Sequence, residues 1–171
     1  MELEARRASS ADANAVLEIL DEAAAWLRAR GVQQWPVRFE RDWIMSSIEA
    51  GETWLFSHPG CADLVATVTL DYNDPLWSDQ PALAGYLHRL AIRREVAGVG
   101  GQVIDWGATQ ALLAGCEFLR LDCVASNREL CAYYERRGFA SVGLAVVGGA
   151  PGQRTAGGST TTVAKYQRSI K

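Results

Sequence analysis

Long hydrophobic runs are missing from this 171-residue chain, and no stretch approaches the length of a membrane span. The opening segment, Met1 to Arg7, has no apolar signal core, so the cytoplasm is the expected compartment and no membrane partner is expected. A basic surplus is missing too. Lys and Arg number 17 against 20 Asp and Glu, and the net charge of −3 argues against the concentrated basic face of a nucleic-acid binder. The four cysteines, Cys61, Cys116, Cys123 and Cys131, include no Cys-x-x-Cys pair and have no histidine cluster beside them, so no metal site is expected. They read as reduced packing residues. No internal repeat is present. What remains is 49% hydrophobic and 22% charged, the balance of a globular protein, and the length suits one domain over residues 1–171 with a core of its own.

Periodicity supplies the elements. Leu3 to Arg7 is strand-like, and Ser9 and Ser10 are candidate caps with Asp12 in the opening turn of a helix. Val16, Leu20, Ala23 and Leu27 recur at helical spacing until Gly31. Asp42 to Glu49 is a second helix. Thr53–Ser57, Leu64–Leu70 and Tyr86–Ile92 are three strands, and a loop containing Trp77 precedes the third. A glycine-rich turn opens a helix running to about Ala114. Then come a strand at Phe118–Val124, a helix at Arg128–Arg137 and a strand at Phe139–Val147. A glycine-rich loop at Gly148–Ser159 precedes a last strand from Thr160 toward Tyr166. This order predicts one mixed sheet with helices on both faces.

The turn is the most informative segment. A strand, Leu87-His88-Arg89-Leu90-Ala91-Ile92, feeds Gly98-Val99-Gly100-Gly101 and a helix N-terminus. Unpaired amides of a first helical turn point outward, the helix dipole favours negative charge, and missing Cβ atoms let a phosphate approach. The competing reading of Gly-x-Gly is a tight turn that lets helix and strand pack closely. The dinucleotide fingerprint fails because Val103 stands where its third glycine belongs, and the triphosphate loop's Gly-Lys-Ser/Thr is absent.

Two motifs together resemble the GNAT superfamily of acyl-CoA-dependent N-acyltransferases. Its pyrophosphate motif, Gln/Arg-x-x-Gly-x-Gly/Ala, corresponds to Glu95-Val96-Ala97-Gly98-Val99-Gly100, followed by the aliphatic pair Val103-Ile104. Its second signature corresponds to Asn127 followed by Tyr133-Tyr134-Glu135-Arg136-Arg137-Gly138-Phe139. The resemblance spans essentially the whole chain. It implies an α/β fold with a mixed, mostly antiparallel sheet of six to seven strands flanked by about four helices. Glu95 departs from the motif and is read as pointing to solvent, with Arg93 or Arg94 supplying positive charge, the alternative being a shortened loop and weakened coenzyme binding.

The same resemblance implies the site. Acetyl-CoA is the expected cosubstrate, with Gly98, Val99, Gly100, Gly101 and Gln102 at its pyrophosphate, Leu90, Ala91 and Ile92 pairing with its pantetheine arm, and Asn127 beside that arm. Tyr134 is expected near the thioester sulfur as proton donor to the leaving thiolate, the alternative being a buried structural ring. His88 is a candidate base, expected on the same strand face as Leu90. The alternatives are a histidine bonded within the sheet, and deprotonation through water by Glu52 or Asp71. Trp35 and Trp77 are candidates for an aromatic wall on the acceptor side, or else loop anchors; Trp26 and Trp43 read as core. Glu40, Asp71 and Asp74 read as solvated surface charges more than as amine attractors. The expected reaction is acetyl transfer by direct attack to the primary amine of an unidentified acceptor, by a monomer or homodimer; a small-molecule amine is the expected partner, with antibiotic, amino acid and protein N-terminus left open. The rival is an acyl-CoA sensor or an enzyme of altered chemistry on the same fold.

Overall fold

The computed structural model describes residues 2–96, 98–148 and 160–171. The strands are β1 (Glu4–Arg7), β2 (Thr53–Ser57), β3 (Leu64–Asp71), β4 (Ala84–Ile92), β5 (Phe118–Val124), β6 (Ala140–Gly148) and β7 (Thr160–Ser169). The helices are α1 (Ala13–Ala29), α2 (Arg41–Glu49), α3 (Gly100–Leu113) and α4 (Arg128–Arg136), with short 3-10 turns at Ser10–Asp12 and Pro75–Trp77. This is the expected order, with the last strand longer than its β-branched start suggested. Of the expected glycine-rich loop, residues 149–159 lie outside the described residues.

Local chemistry sets the boundaries. Asp12 accepts from the Ser9 amide at 2.8 Å and takes both terminal nitrogens of Arg6, which ties the end of β1 to the start of α1. At the far end of α1 the chain turns left-handed at Gly31, where φ is 75°.

The strands form one sheet in the order β1-β2-β3-β4-β5-β7-β6. Every neighbouring pair is antiparallel except β4 and β5, which run parallel. The helices divide between the two faces. Val16, Ile19 and Leu20 of α1 and Ile44 of α2 pack with Leu55 and Ala91 on one face. Val103 and Ile104 of α3 and Tyr134 of α4 pack with Leu70, Leu87, Leu121 and Cys123 on the other. Each such buried aliphatic side chain contributes about 1.5–3 kcal/mol relative to exposure.

Two irregularities break the middle of the sheet. β4 and β5 pair only from Ala84↔Phe118 to Leu87↔Leu121, and the continuations of the two strands diverge. On its other edge β4 carries a bulge: Thr69 faces His88 and Thr67 faces Ala91, two steps on β3 against three on β4. The extra residue is absorbed at Arg89, whose φ of 51° lies in the left-handed region that a non-glycine residue seldom enters.

The bulge overturns one expectation. Strict alternation would put His88 and Leu90 on one face; the inserted residue instead puts His88 with Ala91 on the α1/α2 face. Leu90 and Ile92 pack against the opposite core.

Candidate active site

A cavity of about 740 Å³ opens where β4 and β5 part. His88, Leu90, Ala91 and Ile92 line one side, Asp122, Cys123 and Val124 the other, and Tyr133 and Tyr134 of α4 also reach it. The splay arises from the topology. Parallel β4 and β5 are joined through α3, and the β5 residues beyond Leu121 stay registered with antiparallel β7. Backbone groups of β4 from His88 onward therefore border an opening rather than a strand.

The cavity has two electrical ends. At one, α3 begins beneath Ile92, and among the described residues the amides of Gln102 and Val103 both donate to the Val99 carbonyl. The amides of Gly100 and Gly101 precede that ladder, at the positive end of the helix dipole. A Cβ on Gly100 would meet the Tyr133 hydroxyl at 3.0 Å. One on Gly101 would meet Arg137 Nη1 at 1.8 Å. Only glycine lets that guanidinium lie against the first turn, where it also stands 5.2 Å from the Tyr133 ring centre. Arg30, Arg94 and Arg136 line the cavity.

Of the two arginines expected to balance Glu95, Arg93 is committed elsewhere, to Glu22 at 2.9 Å and to the Leu64 carbonyl at 3.0 Å. Arg94 faces the cavity with its guanidinium 4.0 Å from the Trp26 ring centre. Glu95 is exposed.

The other end is acidic. His88 Nε2 lies 3.2 Å from Asp71 Oδ2 and 3.8 Å from Asp74 Oδ2. Ligating atoms of Asp74, His88 and Asp122 lie within 4.8 Å of one another. Glu52 joins them in the lining. Its carboxyl is held above the ordinary range by burial first and by the Asp71 charge second, with His88 opposing. Asp71 and Asp74 are thus not the solvated surface charges expected of them. Asp74 is buried, and its Oδ1 accepts from the Leu76 amide at 3.0 Å, capping the 3-10 turn at Pro75–Trp77. Glu40, by contrast, is exposed.

Tyr134 is buried among Tyr133, Phe139 and Tyr166, and burial pushes its phenol well up, so the hydroxyl keeps its proton at any ordinary pH. It belongs to the α3/α4 core, whereas His88 lies on the α1/α2 face. The two expected catalytic side chains therefore approach the opening from opposite sides of the sheet. Asn127 is the N-cap of α4: its Oδ1 accepts from the Leu130 amide at 3.2 Å, and its Nδ2 donates to Gln34 Oε1 at 2.8 Å.

The tryptophans are distributed differently from expectation. Trp35 does line the cavity while also packing edge-on to Phe39 at 5.5 Å. Trp77 does not line it. It is 2% exposed, in a cluster with Ala84 and Tyr86, and lies beneath the Arg120 guanidinium at 4.6 Å. Trp26, read as core, is 36% exposed and borders the cavity between Arg30 and Arg94. Cys61 is exposed rather than a packing residue; the other three cysteines are buried.

Sequence reading missed Asp122 and Arg137. The first had a signal, since Arg120 and Asp122 alternate with Leu119, Leu121 and Cys123 along β5 and so face away from the apolar core. The second stood inside the Tyr133–Phe139 signature without a role, because its partner Gly101 is 36 residues away and on another helix.

A mixed seven-stranded sheet with helices on both faces is the fold of the GNAT-family acetyltransferase structures that this chain resembles. The sequence pattern of the Acetyltransferase (GNAT) family matches residues 16–139, and the chain belongs to that family and is an N-acetyltransferase. It is 34% identical over 143 residues to a Bacillus subtilis (strain 168) protein described as the uncharacterized N-acetyltransferase YesJ, covering 77% of this chain and 78% of that one. A GNAT-family acetyltransferase structure from Listeria monocytogenes 4b F2365 superposes with a TM-score of 0.75 at 26% identity, over 98% of this chain and 94% of that one. The fold is also shared with yncA, a putative acetyltransferase from Salmonella typhimurium solved with its cofactor acetyl-CoA. There the TM-score is 0.66 at 13% identity, over 100% and 95% of the two chains. Among the described residues no helix is long and apolar enough to cross a membrane.

Proposed function

We propose that the protein moves the acetyl group of acetyl-CoA to the primary amine of a small cationic acceptor, by direct attack in a ternary complex. The carrying observation is the divergence of β4 from β5 beyond Leu87 and Leu121, with His88 and its carboxylates on one face of the sheet and Tyr134 on the other. An extended pantetheine arm laid against Leu90, Ala91 and Ile92 adds to the open edge of β4 as a further strand would. Backbone donors there polarise the thioester carbonyl. The pyrophosphate falls at Gly98 to Gln102, where helix amides, Arg137 and Arg94 supply positive potential.

The acceptor enters from the acidic end. Glu52, Asp71, Asp74 and Asp122 draw an ammonium inward, and Trp35 and Trp26 offer aromatic faces to its body. An ammonium cannot attack until it loses a proton. His88 takes that proton, with Asp71 accepting from Nε2 and so orienting the ring and stabilising the imidazolium. The neutral amine attacks the acetyl carbon, the C–S bond breaks, and Tyr134 donates its proton to the departing thiolate from the opposite face; the surplus proton on the new amide nitrogen passes to water, and water returns one to the phenolate.

Acetyl-CoA should bind in calorimetry and raise the melting temperature, and free thiol should be released with diamines or amines lacking a nearby carboxylate. Binding without thiol release across a broad amine panel would replace the transferase reading by that of an acyl-CoA sensor.

A further inference from the structure

Cys123 and Cys131 face each other inside the protein. Their Sγ atoms are 3.7 Å apart, one on β5 and the other on α4, and both residues are buried. Only Cys123 lines the cavity. Eight positions separate them in sequence, with the whole β5–α4 turn between, so the pairing belongs to the fold. Packing alone would accept any small apolar side chain at either position. Two thiols in contact beside a solvent-reached cavity can do more.

We propose that Cys123 and Cys131 form an oxidisable dithiol whose closure to a disulfide switches off acetyl transfer; the effect on transfer rests on the proposed transferase function, while the bond itself does not. The oxidant is hydrogen peroxide, which enters through the cavity. Cys123 attacks one peroxide oxygen, the O–O bond breaks, and a sulfenic acid and water result. Cys131 then attacks the sulfenic sulfur. The S–S bond forms, and hydroxide leaves with the Cys131 proton as a second water. Each sulfur loses one electron, and the two peroxide oxygens gain them. Burial pushes the Cys123 thiol up, so the first step is slow. Bound acetyl-CoA, filling the cavity, slows it further.

The geometry links this bond to the chemistry. Closing from 3.7 Å to a disulfide length of about 2.05 Å draws the sulfurs together by roughly 1.6 Å. Rotation of the side chains takes up part of that, and movement of α4 the rest. Tyr134 lies three residues beyond Cys131 on the same helix and shares its buried core, so it moves with it. Asn127 and Glu129, which hold Gln34 and Arg30 across the cavity mouth, lie on the same helix or its cap. A misplacement of about 1 Å at a reacting group lowers turnover on the order of a hundredfold.

The test treats the whole protein with hydrogen peroxide and digests it with trypsin under non-reducing conditions. Cleavage after Arg128 leaves Cys123 in the peptide 121–128 and Cys131 in 129–136, so the bond appears as one linked mass short of two hydrogens. Exposed Cys61 reports independently that oxidant was present. The expected result is the linked peptide, a matching fall in thiol release of at least tenfold, and recovery of both with dithiothreitol. Cys131→Ser and Cys131→Ala should give no linked mass and keep their own untreated activity after peroxide. Oxidised Cys61 with no linked peptide overturns the dithiol. A linked peptide with unchanged transfer overturns the switch. If the protein releases no thiol from any amine, the linked peptide and its suppression by acetyl-CoA still decide whether the dithiol exists.

Discussion

Replacing Gly101 by alanine separates the charge at the start of α3 from the fold that carries it. A Cβ there would stand 1.8 Å from Arg137 Nη1 and 2.2 Å from its Cζ, so the guanidinium must leave. What gives way is the free end of a long side chain, and the helix loses nothing. Within helices alanine is preferred to glycine by about 0.5–1 kcal/mol, so the melting temperature should hold or rise. The cost falls on the ligand. Removing one hydrogen bond to a charged group costs about 1.5–3 kcal/mol, which weakens acetyl-CoA binding roughly 10- to 150-fold. Calorimetric titration of Gly101→Ala, Arg137→Ala and the double variant provides the assay. Both single changes remove the same contact, so the double variant should bind no more weakly than either. A Kd within twofold of the parent in Gly101→Ala, or full additivity in the double variant, would refute the reasoning.

Three more outcomes rest on the same geometry. Tyr134→Phe keeps the buried ring and removes the proton, so kcat should fall by about 10²- to 10⁴-fold with little change in KM; unchanged turnover removes the acid role. His88→Gln should lower kcat/KM at neutral pH, with the deficit shrinking as pH rises and solvent itself supplies neutral amine; a deficit constant with pH would exclude His88 as the base. Glu52 is held above its ordinary value, so the native state binds its proton more tightly than the unfolded chain does. The resulting stability cost is absent below the unfolded value and complete above the folded one. Glu52→Gln should therefore raise the melting temperature at neutral pH, and that gain should vanish below about pH 4, near the unperturbed value. Thermal unfolding across a pH series measures it.

Much of this protein was legible because its signals are local. Local patterns of apolar spacing, turn glycines and β-branched runs located the four α-helices and seven strands of the described residues, since a buried face must repeat with the geometry of its own element. Gly98 to Gly101 marked the candidate anion-binding turn because backbone amides do that work, and the glycines that expose them are adjacent in sequence. Trp77 misled for the same reason. A loop position says nothing about which neighbours arrive from elsewhere, and here Arg120, Tyr86 and Ala84 close over it.

The chain by itself therefore determined the elements, their order and the glycine-rich cradle, all set by interactions over a few residues. Tertiary structure decided which face each catalytic candidate serves. One inserted residue at Arg89 sends His88 to the side opposite Leu90, and a bulge is defined by register against β3, which no single strand contains. It also gathered Asp71, Asp74 and Asp122 around His88, laid Arg137 on Gly101 and brought Cys131 to Cys123. Each of those contacts joins elements whose separation in space is fixed only once the sheet has twisted and the helices have docked on it.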